Sequence, residues 1–456
     1  MVSDATIVEV PRPPAGRLPF LLLLARVVSN PVGSWGRDFY SEPVVVYDDF
    51  GLQTVFVMDP ELIQAVLLDD IDSFSKNPIY DRVLGEGGGE GVLIAEGERW
   101  RWQRRLLAPL FRAEEVAAYV PAFVSACAVP LQRWAESEAG SLQPIHSDIA
   151  AATLKVLEDT VLGADLPPED HQRIAAAGTA FLKPTVWRVA YASLRLPGWT
   201  PHPGSARMAR ASRDLREVAG RALAGRRQHG GEGSDLVGRL VSARDPATGE
   251  AMPDSLIIDN LVTFLLAGHE TTAQALTWTL YLLALFPDWQ DRAREEIRRV
   301  IGNGPVDREK LQQLSLVEAI FQEAMRLYPP APSLMRRATR AVKLGGHDIK
   351  QGATIIIPIY VVHRHERLWH EPLRFDPSRF SAEAKSVRHR CAYMPFSTGP
   401  RSCIGGAFSM LEAKAMLATL LAGAKFDLPE WEVPEPLARI TLRPKQGLKL
   451  KVAMLD

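Results

Sequence analysis

The residues with the most chemistry in them form the run Phe396-Ser-Thr-Gly399-Pro-Arg401-Ser-Cys403-Ile-Gly405, which leads into a helical pattern over residues 407–421. A thiol at the start of a helix meets unpaired backbone N–H groups and the positive end of the helix dipole, and both favour its thiolate. The thiolate is the form that binds a metal. Gly399 and Gly405 permit the backbone to approach a flat macrocyclic ligand, and Arg401 adds a permanent cation suited to a carboxylate on that ligand. A cysteine that only filled a core would need no glycine and arginine at these spacings. A phosphatase loop would need an arginine six residues after the cysteine, where Ser409 stands.

Three further groupings accompany this run. Ala267-Gly268-His269-Glu270-Thr271-Thr272 sits inside the longest helical pattern, residues 254–285, between Pro253 and Pro287. Gly268 removes a side chain where a helix passes close to something, and the Thr271 hydroxyl can bond the carbonyl of Ala267, loosening the turn. Glu323 and Arg326 lie one helical turn apart, by itself the spacing of a solvated surface pair, and Arg379 follows in Pro377-Ser-Arg379-Phe380. Trp100 and Arg104 share one helical face.

The spacing Phe-x-x-Gly-x-Arg-x-Cys-x-Gly resembles the haem-ligand signature of the cytochromes P450, and the other groupings stand in that family's order. The resemblance implies a mainly α fold with a small β lobe, a triangular prism holding haem b between the long helix and the cysteine-loop helix. It implies Cys403 as axial iron ligand, with Phe396, Gly399, Arg401, Gly405, Ala267 and Gly268 around the haem. Trp100, Arg104 and Arg336 correspond to propionate contacts, Arg337 being the neighbouring alternative to Arg336. Glu323, Arg326 and Arg379 correspond to a structural triad, and Thr271 and Glu270 to the residues of proton delivery. Phe264, Ala267, Ser333 and Leu334 would line the substrate pocket.

The implied activity is a monooxygenase that inserts one oxygen atom from O2 into a hydrophobic small molecule by hydroxylation or epoxidation. Electrons would come from NAD(P)H through a ferredoxin and its reductase, or a flavodoxin-like donor, docking over Arg101, Arg105, Arg388, Arg390 and Lys414. Alternatives are a non-oxygenating isomerase or dehydratase or a peroxygenase, both disfavoured by the Glu270–Thr271 pair, and a non-catalytic haem sensor. A hydrolase using Cys403 as nucleophile would need His363 or His389 beside it.

The elements that must position these residues are legible in outline. The chain has 456 residues, 46% apolar and 23% charged, with 53 basic against 54 acidic side chains, the profile of an ordinary globular protein with no bias toward nucleic acid. We read it as one domain, residues 1–456, with β-rich parts at about 40–60 and 335–360 and a helical body over 61–330 and 400–425. Residues 44–47 and 53–58 read as a hairpin. Cys127, Cys391 and Cys403 form no paired framework, which points to a reducing compartment. The apolar stretch 18–28 is about half the roughly 20 residues a membrane span needs and reads as a packed helix, so a cytoplasmic protein with no transmembrane anchor is expected. The stretch from Gly85 to Gly91 lacks a following Gly-Lys-Ser/Thr and has acidic neighbours, so it reads as a flexible loop and not a phosphate cradle.

Overall fold

The β-branched run Val44, Val45, Val46 pairs with the following strand because Gly51, at φ +75°, turns the chain between them. Strand β1 (Val44–Asp49) is antiparallel to β2 (Leu52–Val57), with Val44 opposite Val57 and Asp49 opposite Leu52. The computed structural model describes residue 8 and residues 13–49, 51–76, 78–163, 166–193, 196–230, 233–430 and 433–455. Three later strands complete this sheet: β3 (Phe74–Lys76), β4 (Leu334–Ala338) and β5 (Thr354–Ile357), in the order β1-β2-β5-β4-β3. The β3–β4 register sets Lys76 opposite Arg336. Most of this sheet falls within the two β-rich parts read from the sequence. Strand β3 does not, nor do the short strands between residues 424 and 454, whose pairing is long-range and leaves little alternation in a three- to five-residue run.

The helix Asp254–Leu285 has the bounds its proline punctuation indicates. It packs against the helices Ile145–Leu157, Ser205–Gln228, Ser315–Leu327 and Gly406–Gly423 and is buried along most of its length. Its polar residues are matched. Asn260 bonds the Gln103 side chain, the Leu256 carbonyl and the Val92 N–H, each at 2.9 Å. Asp259 pairs with Arg216 at 2.6 Å and accepts the Glu90 N–H at 2.8 Å. Only around residues 266–271 does the accessible side of the helix reopen, toward a cavity.

Two expectations are corrected. Residues 85–88 are not loop but the end of a helix, Ile79–Gly88. Tertiary packing overrides glycine's poor propensity here: a Cβ at Gly87 would lie 2.5 Å from the Phe181 ring, so only a bare backbone can be helical against that neighbour. Phe20–Ser29 is a helix, but a surface one: none of its described side chains is buried, and Leu22 is 48% exposed. Among the described residues, one helical stretch, Ala113–Ala135, is long and apolar enough to cross a membrane. It is broken into several short helices, and Phe123, Cys127 and Trp134 within it belong to the core.

Glu323 and Arg326 are not at the surface. Both are fully buried, and every donor of Arg326 is used. Nε and Nη2 bond the Glu323 carboxylate at 2.6 and 2.8 Å, while Nη1 and Nη2 bond the carbonyls of His363, Pro372 and Arg374 at 2.7–2.9 Å. The Glu323 carboxylate also accepts the Asp376 N–H at 2.9 Å, and Arg379 approaches it at 3.6 Å. Arg326→Ala therefore strands a buried carboxylate and is expected to cost about 3–5 kcal/mol, read as a lowered urea midpoint. Arg326→Lys keeps the charge but not the planar fork, and recovers only a minor part of that loss.

Candidate active site

The cysteine loop is fixed from that buried pair outward. Arg326 holds the His363 carbonyl; His363 Nε2 accepts the Met394 N–H at 2.9 Å; the Met394 carbonyl accepts Ser397 N–H at 2.9 Å; and the Phe396 carbonyl accepts Cys403 N–H at 2.8 Å. Burial between Arg326 and Arg364 pushes His363 down to about 3, so its ring stays neutral and Nε2 stays an acceptor. Since His363 serves Met394, and His389 accepts the Cys391 N–H at 3.1 Å, neither is arranged as a base for Cys403.

Cys403 lies deep in the chain, yet its side chain is accessible, because it faces a cavity of about 400 Å³. The long helix forms one wall through Phe264, Ala267, Gly268, Glu270, Thr271 and Thr272, Ser333 and Leu334 add a second, and Phe396, Arg401, Cys403 and Gly405 bring in the cysteine loop. The helix Gly406–Gly423 begins three residues after the thiol. Burial raises the Cys403 thiol; a Gly405 N–H and the Arg104 charge pull it down without overcoming burial. The helix-terminus argument for a thiolate is thus incomplete, because desolvation disfavours the anion more than these groups favour it. A metal cation at the sulfur would supply the missing stabilisation.

A second, smaller cavity at the edge of the first is lined by Glu96, Trp100, Arg336 and Arg401. The Arg401 guanidinium lies 4.3 Å over the Trp100 ring, pairs with Glu96 and donates to the Ala95 carbonyl at 3.1 Å. Lys76 is pushed down to about 7 by burial and by the charges of Arg401 and Arg336, with Glu96 opposing. Lys76, Arg336 and Arg401 thus converge on Glu96, while the cavity's other carboxylate, Asp72, lies 3.8 Å from a further cation, Arg101. The donor set fits a ligand that brings further carboxylates, as a haem with its propionates does, beside a thiol facing open space. Arg336 is buried and Arg337 exposed, since alternate residues of β4 face opposite sides, and of the two it is Arg336 that borders this cavity.

Across the cavity the Thr271 hydroxyl donates to the Ala267 carbonyl at 2.7 Å. Glu270 accepts from the buried Thr441 hydroxyl at 2.7 Å. Gly268 gives room to Leu157: a Cβ there would lie 3.1 Å from that side chain. Gly405 does border the cavity with free space at its Cα, but Gly399 serves another purpose than the ligand approach read from sequence. Its φ is +79°, and a Cβ would lie 2.4 Å from the Leu67 carbonyl.

The basic docking patch is also corrected. Lys414 is buried and bonds Glu318 at 2.9 Å. Arg388 is half-buried over the Trp369 and Phe380 rings, and Arg101 and Arg105 pair with Glu98 and Asp245 at 2.6 and 3.1 Å. Arg390 is exposed. Sequence reasoning missed Lys76, Glu96, Thr441 and Glu412. Long-range pairing alone brings the first three to the site, while Glu412 lies on the cysteine-loop helix at a spacing that marks it only as a buried position. Two losses are expected. Gly399→Ala combines a left-handed φ with a backbone clash and should abolish accumulation of folded, coloured protein. Lys76→Met should speed haem loss to an acceptor protein several-fold while leaving the fold unchanged by circular dichroism.

Comparison with known proteins agrees with this geometry. The family model for cytochrome P450 matches residues 11–452. Cytochrome P450 72A11 of Arabidopsis thaliana is 31% identical over 410 residues, covering 88% of this chain and 79% of that protein. A cytokinin hydroxylase of the same plant is 32% identical over 387 residues, covering 81% and 72%. The crystal structure of the cytochrome P450DA heme domain superposes with a TM-score of 0.84 at 25% identity, covering 99% of both chains. With a thiol facing an acid–alcohol pair across the cavity, and a family match over nearly its whole length, this chain belongs to the cytochrome P450 family of haem-thiolate monooxygenases.

Proposed function

We propose that the chain inserts one oxygen atom from O2 into an uncharged or weakly polar hydrophobic molecule, using haem b held by Cys403 and electrons from NAD(P)H passed through a ferredoxin and its reductase. The observation that carries this reading is the placement of Cys403 on one wall of an apolar cavity with Glu270 and Thr271 on another. When bound, the haem supplies an iron at which O2 is reduced, and a thiolate ligand favours O–O cleavage over reversible storage.

The chain's own residues do the rest. Cys403 holds the iron through Sγ, Lys76, Arg336 and Arg401 hold the propionates, Trp100 stacks on Arg401, and Arg104 adds positive charge near the sulfur. Phe264, Ala267, Ser333 and Leu334 orient the substrate and exclude water from the reacting face. Thr271 holds a proton at Oγ1, and Glu270 replenishes it once its carboxylate has left the Thr441 hydroxyl and taken up a proton from solvent water. Glu323, Arg326 and Arg379 act at a distance, by fixing the loop. A hydroxylase among the relatives supports oxygen insertion over isomerisation. We place the protein in the cytoplasm, its partner docking near Arg101, Arg105 and Arg390.

An absorption spectrum of dithionite-reduced protein under carbon monoxide tests the reading. A strongly red-shifted Soret band is expected, and Cys403→His should move it to the position of a histidine-ligated haem. Absence of any haem band in folded, haem-replete protein would overturn the proposal. Thr271→Ala should lower product formed per NAD(P)H oxidised by about tenfold or more, with hydrogen peroxide making up the difference.

A further inference from the structure

A hydroxyl on the wall of an apolar cavity is informative when the protein itself makes no use of its proton. The hydroxyls of Tyr119, Thr160, Thr263 and Thr271 border the main cavity but donate to backbone carbonyls at 2.7–3.0 Å. Thr441 donates to Glu270, Thr272 and Ser409 lie 3.1 Å apart, and Ser397 Oγ is buried away from the open space. Two hydroxyls remain. Ser333 borders the cavity, is only partly buried, and has no hydrogen-bond partner for its Oγ among the described residues. Tyr80, on the helix Ile79–Gly88, also borders the cavity, and its oxygen accepts the Met335 N–H at 3.0 Å, which leaves its own O–H proton to give. The neighbouring strand β3 stops at Lys76, opposite Arg336, and Tyr80 takes the N–H of the following position. Capping the strand accounts for the oxygen of Tyr80 but not for its proton, and it leaves Ser333 unexplained.

We propose that Tyr80 and Ser333 form a specificity subsite that holds one acceptor oxygen of the substrate, and that the substrate class is a hydrophobic molecule carrying a neutral carbonyl. Met335, which Tyr80 caps, is two residues from Ser333, roughly 7 Å along an extended chain. The two hydroxyls therefore come from neighbouring points on the wall, and a single carbonyl oxygen has the two lone pairs to accept both. Lys76 Nζ lies 5.5 Å from the centre of the Tyr80 ring, and Arg336 is near enough to interact with Tyr80 through its charge. Their positive potential favours the oxygen end of a carbonyl dipole and disfavours an amine. Leu84, Leu182, Phe264 and Leu334 supply apolar wall for the hydrocarbon part. A hydrocarbon without the oxygen would leave both hydroxyls dry and unmatched, which is how a hydrogen-bonding site discriminates. Anchoring one end of the molecule also fixes which of its carbons lies toward Thr271.

The inference rests on the monooxygenase reading, and the two can fail separately. The probes are matched pairs on linear, terpenoid and steroid skeletons, each a methyl ketone and the isosteric alkene with C=CH2 in place of C=O, compared by calorimetry on the holoenzyme. At least one ketone should bind about tenfold more tightly than its alkene, and its isotopically labelled carbonyl stretch should move to lower frequency on binding. Ser333→Ala and Tyr80→Phe should each cut that preference about three- to fivefold and scatter oxygen insertion over more carbons of the ketone. Tyr80→Phe leaves the Met335 N–H unmatched, so if that variant does not accumulate, Ser333→Ala decides the matter. The subsite is overturned if no ketone is preferred over its alkene, whether for want of discrimination or of binding, or if the preference survives Ser333→Ala. That result beside an intact red-shifted carbon monoxide band leaves the monooxygenase reading standing. Loss of the band with the ketone preference retained removes that reading and keeps the subsite.

Discussion

A guanidinium buried without water must have every N–H matched, and that requirement on Arg326 organises the half of the molecule that carries the cysteine. Removing a charge from water costs several kcal/mol per ion, and attraction to Glu323 offsets this only if the remaining donors and acceptors are satisfied. Arg326 meets the condition by taking carbonyls from residues 363, 372 and 374, and Glu323 by accepting the Asp376 N–H. A segment with little regular structure is thereby pinned to the helix Ser315–Leu327. His363 passes the constraint to Met394, two residues before Phe396. The cysteine is held by the chain of partners that a buried charge demands, more than by the helix that follows it.

The electrostatics of the cavity follow the same logic in reverse. Around Arg326 every donor is matched within the protein. Around Lys76, Arg336 and Arg401 cations outnumber anions, since Glu96 is shared among the three, Asp72 faces Arg101, and burial depresses Lys76, Arg336 and Arg401 alike. At Cys403 burial opposes the anion that metal ligation requires. An excess of cations beside a thiol that cannot readily ionise on its own is the complement of a cation at the sulfur and carboxylates at the edge. The fold leaves unsatisfied at the site what it satisfies elsewhere.

The site's local chemistry was legible in the sequence because it is written in short spacings: Cys403 with Arg401 and Gly405, Thr271 with the Ala267 carbonyl, and the ends of the long helix set by Pro253 and Pro287. What was not legible depends on distant pairing. Lys76 joins Arg336 only because a three-residue strand finds its register across more than 250 residues of chain. The burial of Glu323 and Arg326 could not be told from a surface pair, since i,i+3 spacing is the same in both settings. Gly87 and Gly399 were misread for one reason. A glycine announces that a side chain is excluded, not by what, and the excluding groups are Phe181 and the Leu67 carbonyl.

The cavity is flanked by two carboxyl groups in unlike environments. Glu270, on the long helix, is half-buried and has a hydroxyl to accept, so its carboxylate can exchange one partner for another at small cost. Glu412, on the cysteine-loop helix, is enclosed, one oxygen unmatched, and favours its neutral form. The geometry places a carboxylate bonded to Thr441 on one helix and an acid bonded to Thr272 on the other, while Thr271 bonds the carbonyl of Ala267 on its own helix. The tandem threonine therefore has a physical reason at both positions: Thr271 loosens the helix at the groove, and Thr272 ties that helix to the one that presents the cysteine.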